Sequence, residues 1–215
     1  MRRVYFVRHG ESEANVARIH GGEHHALTEE GRRQARVIAQ RCLRLKLDAL
    51  FASPLVRAQQ TAVAIAEATQ LPIQTSDLFS ELRGPSMYME KPVDDPEIIK
   101  GYFEMNKSWA PGYRHLDEEN FDEILARAGR ALEFLAERPE DTVAVVSHAL
   151  FLRALAARAL FGPEVTPHEC LRFFYSVKQS NTGLTAFEYR PMDALGNESK
   201  FPWQLITWND HAHLG

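Results

Sequence analysis

Residues 4–7, Val-Tyr-Phe-Val, form an unbroken apolar run that ends abruptly in Arg8, His9 and Gly10. β-branched and aromatic residues without alternation describe a strand buried on both faces. The same texture returns at residues 48–53 (DALFAS) and 142–148 (TVAVVSH), and more weakly at 72–76 (PIQTS). Between these runs the period becomes helical. Thr28 is placed as an N-cap, Glu29 and Glu30 fill the first turn, and Ala35, Ile38, Cys42 and Leu45 share a face, which predicts a helix to about residue 45. Ser53-Pro54 reads as a serine cap followed by proline at the first helical position, opening a helix through Arg57, Thr61 and Ile65 to about residue 69. Asn120 with Glu123 makes a capping-box pattern for a third helix, to about residue 137. A fourth is expected over 149–160, stopped at Gly162-Pro163. Residues 183–190 and 201–208 read as two further strands, an antiparallel edge pair.

Alternating strands and helices imply an α/β fold, a three-layer α/β/α sandwich around a mostly parallel sheet. One stretch breaks the pattern. From residue 79 to about 120, prolines and glycines are mixed with Tyr88, Tyr102, Phe103, Trp109, Tyr113, Met87, Met89 and Met105 in no long period. It reads as an irregular or helical insertion folded over the active site of a single domain, 1–215. That length, with 45% hydrophobic and 25% charged residues, suits one globular domain. The apolar run before Arg8 is too short for a signal peptide, and none is long enough to span a bilayer, so a cytoplasmic protein is expected. Cys42 and Cys170 are two thiols, with Cys42 on the apolar helix face, where a buried thiol is the simplest reading. The formal net charge of −4 argues against nucleic acid as a partner, but leaves room for a small anion bound by local arginines.

Three predicted strands end in polar residues of one chemical kind. The first ends at Arg8-His9, the second at Ser53 with Arg57 just beyond, and the TVAVVS strand at His148. If these strands are parallel neighbours, two histidines and two arginines converge at the carboxyl edge of the sheet, where open α/β sheets bind ligands. Asn15 can add amide donors from the first loop. Arginine offers a planar, permanently charged fork that matches phosphate oxygens, and helix starts after Ser53 and His148 add backbone donors. A neutral imidazole there can act as a nucleophile toward phosphorus. The leaving oxygen needs a proton, and Glu81, at the start of the insertion, is the first candidate acid. Glu90, Glu118 and Glu119 remain alternatives.

At these residues the sequence resembles the histidine phosphatase superfamily, in the branch typified by cofactor-dependent phosphoglycerate mutase. The resemblance rests on Arg8-His9-Gly10-Glu11-Ser12 with Asn15, then Leu27-Thr28 with Gly31, Ser53-Pro54-Leu55 with Arg57-Ala58 and Thr61, and Ser147-His148, in the family's order. It implies that His9 is the phosphorylated nucleophile, that Arg8, Arg57 and His148 form the phosphate pocket with Asn15 as an added donor, and that Glu81 is the acid. Ser12 and Gly21 are candidate phosphate-side contacts, and Arg83 and Tyr88 candidate substrate contacts. The resemblance implies no metal and no cofactor, since arginines supply the positive charge. It also makes a homodimer an open expectation. His20, His24, His25, His211 and His213 lack the carboxylate-histidine spacing of a metal site.

Departures from the mutase pattern favour a phosphatase. Glu81 is followed by Leu82-Arg83-Gly84 rather than by a tyrosine three residues on. His148 is followed by Ala149-Leu150 rather than Gly-Asn, and only Arg114-His115 comes near the paired arginines of the mutase insertion. The reading is a metal-independent phosphomonoesterase acting on a small phosphate ester. A phosphoglycerate mutase and a catalytically silent phospholigand-binding module are the alternatives. Sugar phosphates, nucleotides, phosphorylated cofactor precursors and phosphoproteins all stay open as substrates.

Overall fold

The computed structural model describes residues 1–107, 110–193 and 195–215, with the side chains of 105–107 left aside. Trp109 and the Met105 side chain therefore lie outside the described residues. The chain builds a six-stranded sheet in the order β3-β2-β4-β1-β5-β6. Its strands are β1 (Arg2–Arg8), β2 (Ala49–Ala52), β3 (Ile73–Thr75), β4 (Thr142–Ser147), β5 (Leu184–Tyr189) and β6 (Trp203–Asp210). β3, β2, β4 and β1 run parallel, while β5 pairs antiparallel with β1 and with β6. The three strands read from unalternating apolar runs are contiguous, and their carboxyl ends share one edge.

The pleat assigns each strand residue to one of two cores. Val4, Phe6, Phe51, Val143 and Val145 face one layer, formed by α5 (Phe121–Ala136), α6 (Ala149–Phe161) and α7 (Pro167–Ser176). Tyr5, Val7, Leu50, Ala144 and Val146 face α2 (Glu29–Arg44) and α3 (Val56–Thr69). This is the expected three-layer sandwich, and it explains why the central strands show no polar alternation. Ile38, Ala39 and Cys42 seal α2 to the sheet, while Arg32, Arg33, Arg36 and Arg44 stay in solvent.

Three local readings change. The first loop contains a short helix, α1 (Glu13–Ala17), with Ser12 at its N-cap. α3 begins at Val56 with Leu55 as its N-cap, two residues later than the Ser53-Pro54 signal indicated. Ser53 instead gives its side chain to His148. α7 is an addition, capped by Thr166 with Pro167 at the helix start and Glu169 closing a capping box.

A 3₁₀ turn at Asp77–Phe79 leads into the insertion, which among the described residues holds a second turn, Ser86–Tyr88, and one helix, α4 (Pro96–Lys107). It is tied to the first loop by backbone bonds from His20 N to Lys91 O (2.9 Å), Glu90 N to His20 O (2.8 Å) and Val93 N to Arg18 O (2.8 Å). Loop and insertion together form a roof beyond the sheet edge. No helix among the described residues is long and apolar enough to cross a membrane.

Candidate active site

A cavity of about 160 Å³ opens at the carboxyl ends of the parallel strands. Arg8, His9, Ser12, Asn15, Gly21, Arg57 and Glu81 all line it. β1 delivers Arg8 and His9, α3 presents Arg57 from its first turn, and Glu81 enters from the start of the insertion.

His9 is fixed through both ring nitrogens. Nδ1 lies 2.7 Å from the Gly10 carbonyl, which only accepts, so Nδ1 carries the proton. That leaves a lone pair on Nε2, toward which Arg57 Nε donates at 3.3 Å. Burial, with Arg8 and Arg57 alongside, holds the His9 imidazole well below the usual histidine range. The ring is therefore neutral at pH 7. The backbone around it is equally constrained: His9 N donates to Ser147 O (3.0 Å), Gly10 N to Thr61 Oγ1 (3.0 Å) and Asn181 Nδ2 to His9 O (3.0 Å).

Arg8 donates to the Gln179 carbonyl, while its Nε is buried with no hydrogen-bond partner. Burial pushes this guanidinium down to about 10, with Glu81 opposing that shift. Arg57 and Arg153 are also lowered by burial and offset by Glu81. Three guanidiniums thus share one nearby carboxylate, which leaves the site in need of a dianion.

Glu81 is held at the N-terminus of α6. Its Oε1 accepts from Phe151 N and Leu82 N, each at 2.9 Å, and Oε2 accepts from Leu150 N at 3.4 Å. The alternative carboxylates are engaged elsewhere. Glu90 pairs with His25, Glu118 accepts from His115 N and Leu116 N, and Glu119 pairs with Arg127.

Arg127 of α5 anchors the segment that carries Glu81. It donates to the carbonyls of Leu78 (3.2 Å), Ser80 (2.7 Å) and Glu81 (3.3 Å), and takes Glu119 in a bidentate pair with both contacts at 2.7 Å. All five guanidinium donors are used, and the guanidinium lies 4.3 Å from the Phe151 ring centroid. The sequence reading missed this residue, as it missed Asn181, because an arginine on a helix with polar neighbours reads as a solvated face.

The remaining candidates divide. Ser12 is buried at the cap of α1, and its N–H donates to Asn15 Oδ1 at 3.1 Å. Asn15 also accepts from Asn181 Nδ2 at 3.2 Å, which leaves its own amide hydrogens for the cavity. A Cβ on Gly21 would stand 2.5 Å from that of Ala14, so the close approach of loop to α1 requires glycine. His148 is fully buried behind His9, with ring centroids 5.1 Å apart, and its Nε2 lies 2.8 Å from Ser53 Oγ.

Three expected contacts do not line the cavity: His148, screened from it by the His9 ring, and also Arg83 and Tyr88. Arg83 is exposed: its backbone pairs with Glu119, through Glu119 N to Arg83 O at 2.8 Å, and the residue lines a neighbouring groove, with Asp77, Ser80 and Glu119, that shares only Glu81 with the cavity. Tyr88 is buried within the roof against Tyr102, at 5.6 Å between centroids. In the candidate histidine cluster, His25 turns to Glu90 and His213 to Thr182 and Arg41.

A family model described as histidine phosphatase superfamily (branch 1) matches residues 4–195. The chain belongs to the histidine phosphatase superfamily. Among curated proteins it is 32% identical over 171 residues to phosphoserine phosphatase 1 of Hydrogenobacter thermophilus, covering 77% of this chain and 79% of that one. It is also 32% identical over 218 residues to the probable phosphoglycerate mutase GpmB of Yersinia pestis, covering 100% of this chain and 95% of the relative. Among solved structures, YhfR of Bacillus stearothermophilus superposes with a TM-score of 0.79 at 25% identity over the full length of both chains. A phosphoserine phosphatase from Entamoeba histolytica shares the fold at 21% identity, with a TM-score of 0.78 and full coverage of both chains. The histidine of the Arg-His-Gly segment is the one whose Nε2 accepts from Arg57.

Proposed function

We propose that this protein is a metal-independent phosphomonoesterase that works through phosphorylation of His9. The observation that carries the reading is the state of His9, a neutral imidazole with its proton on Nδ1 and its Nε2 lone pair beside Arg57 in a cavity that Glu81 also lines. In the first step Nε2 attacks phosphorus, a P–N bond forms and the ester P–O bond breaks. Glu81, in its acid form, gives its proton to the leaving oxygen. In the second step water attacks phosphorus, its proton passes to Glu81 and the P–N bond breaks. Inorganic phosphate leaves and His9 regains its lone pair. Arg8 and Arg57 stabilise charge on the equatorial oxygens, the work a metal would otherwise do. His148, wholly buried and outside the cavity lining, packs on the far side of the His9 ring and braces it.

Three placements support hydrolysis over mutase chemistry. Leu150, on the cavity wall where a mutase carries a polar residue, offers no side-chain hydrogen bond. Arg114 is spent on the Glu118 carbonyl and the Glu123 carboxylate. No tyrosine follows three residues after Glu81. The cavity size supports a small-molecule ester. Two free, buried thiols, each pushed up to about 12 by burial, support a cytoplasmic location.

The test is phosphate release from a panel of phosphomonoesters in EDTA, with wild type and His9→Ala side by side. Release by wild type alone is the expected result, with acid-labile phosphate on His9 in rapid-quench mass spectrometry. Full activity in His9→Ala would overturn the proposal. Release that appears only with a bisphosphoglycerate primer, as phosphoglycerate isomerisation, would give the site to a mutase.

A further inference from the structure

The cavity in front of His9 has an outer half that the phosphoryl chemistry leaves unused. Ile19, His20, Leu82, Met89, Tyr102 and Leu150 form this wall. Four of them are apolar, and the two polar ones stand together. The Tyr102 hydroxyl lies 3.3 Å from His20 Nδ1, with the rings 5.3 Å apart between centroids. His20 Nε2 is buried and has no hydrogen-bond partner. A buried nitrogen without a partner is costly, and on a cavity wall a ligand is the natural group to satisfy it.

The position of His20 is fixed. Its backbone is bonded on both sides to the insertion, through Lys91 O and Glu90 N. Burial lowers the His20 pKa and pushes Tyr102 up to about 12, so neither carries charge at neutral pH. With the phenol donating to Nδ1, Nε2 holds the ring proton, a neutral donor buried in a residue of the cavity wall. The arginines lining the cavity, Arg8 and Arg57, sit beside His9; Arg153, behind the wall, already shares the Glu81 carboxylate, and Arg83 is outside. A carboxylate on the leaving group would therefore enter an apolar wall with no counter-charge of its own. The cavity is also smaller than the ~300–1,000 Å³ usual for drug-sized ligands.

We propose that His20, oriented by Tyr102, receives a hydroxyl of a small uncharged leaving group, so that the substrates are phosphate monoesters of small neutral polyols. The proposal rests on the phosphomonoesterase reading. Three three-carbon esters separate the possibilities: glycerol 1-phosphate carries hydroxyls, propyl phosphate carries none, and 3-phosphoglycerate carries a carboxylate. In wild type, kcat/KM for glycerol 1-phosphate should exceed that for each of the others by about tenfold or more. His20→Phe and, independently, Tyr102→Phe should collapse the glycerol-to-propyl ratio toward one. A ratio within one variant cancels any loss of folded enzyme.

Hydrolysis of 3-phosphoglycerate as fast as glycerol 1-phosphate would overturn the proposal, as would a ratio that both variants leave intact. If the three esters are inert but p-nitrophenyl phosphate is cleaved in a His9-dependent way, the subsite falls and the phosphatase reading stands. If wild type cleaves none of the four, both fall.

Discussion

At the scale of the single residue, reactivity here is set by what surrounds His9. Burial and two guanidiniums disfavour the imidazolium, and the Gly10 carbonyl selects the tautomer that leaves Nε2 free. The acid limb of kcat/KM that belongs to His9 therefore lies below the ordinary histidine value of 6.5. Arg57→Gln removes one of the two cations that hold the ring neutral. His9 then titrates closer to its ordinary value, and the acid limb moves to higher pH. The same change removes a phosphate-facing donor, so kcat/KM at pH 7.5 should fall by roughly 10²-fold. A pH–rate profile from 5 to 8 checks both effects. A variant that is slower but keeps the wild-type limb would separate phosphate binding from control of His9. Ser53 shows why some single-residue roles were hidden. Its place before Pro54 is a strong helix-start signal, but its hydroxyl is committed to His148, a partner 95 residues away that no local pattern reveals.

At the scale of the element, the site depends on how α5 holds the start of the insertion. Arg127 ties three carbonyl acceptors, of Leu78, Ser80 and Glu81, to Glu119 and leaves no donor spare. Lysine keeps the charge but not the planar fork, so Arg127→Lys should loosen Glu81 without touching His9. In the proposed mechanism, poor leaving groups need the Glu81 proton and good ones do not. Activity on an alkyl phosphate should therefore drop about 10-fold or more in Arg127→Lys, while p-nitrophenyl phosphate loses much less. Equal losses on both esters would show that Arg127 serves general stability alone. Legibility in the sequence also varied by element. β1, β2 and β4 were plain because both faces are buried, so polarity has nowhere to alternate. α7 carried a start signal in Thr166, Pro167 and Glu169, but buries only Cys170 and Phe174, too narrow a face to show a period. α4 was hidden by Gly101, a poor helix former at a helix interior. The structure gives the reason: a Cβ there would stand 1.8 Å from the Tyr88 hydroxyl. Strand order was not legible at all, because the pairing of β4 between β2 and β1 is a long-range fact with no local signature.

At the scale of the whole molecule, the two half-cores keep the sheet edge rigid enough to hold ionisable groups in states that water would not allow. His9 and His148 are both fully buried, and burial first, then neighbouring charge, keeps each far below 6.5. The consequence for stability follows by linkage. The unfolded chain takes up protons on these rings as pH falls through about 6.5, while the native state does not. Stability contributed by the neutral rings is thus fully present above pH 6.5 and declines below it, by up to about 1.4 kcal/mol per pH unit for each imidazole. Carboxylates pull the same way only in more acid solution. Asp210, which hydrogen bonding from Arg41 holds at about 2, begins to matter below its ordinary 3.8. Glutamates that hydrogen bonds hold below 4.5, Glu123 and Glu188 among them, join in as pH nears 4.5, so the slope between pH 6.5 and about 5.5 is the part that reports the histidines. Melting temperatures at pH 7, 6 and 5, in buffers free of phosphate, should fall steadily for wild type. His9→Asn should flatten that fall by roughly one proton's worth, even if it changes the melting temperature at pH 7. A wild-type protein equally stable at pH 7 and 5 would mean that the native rings accept protons. The account of His9 as a neutral nucleophile would then fail at its foundation.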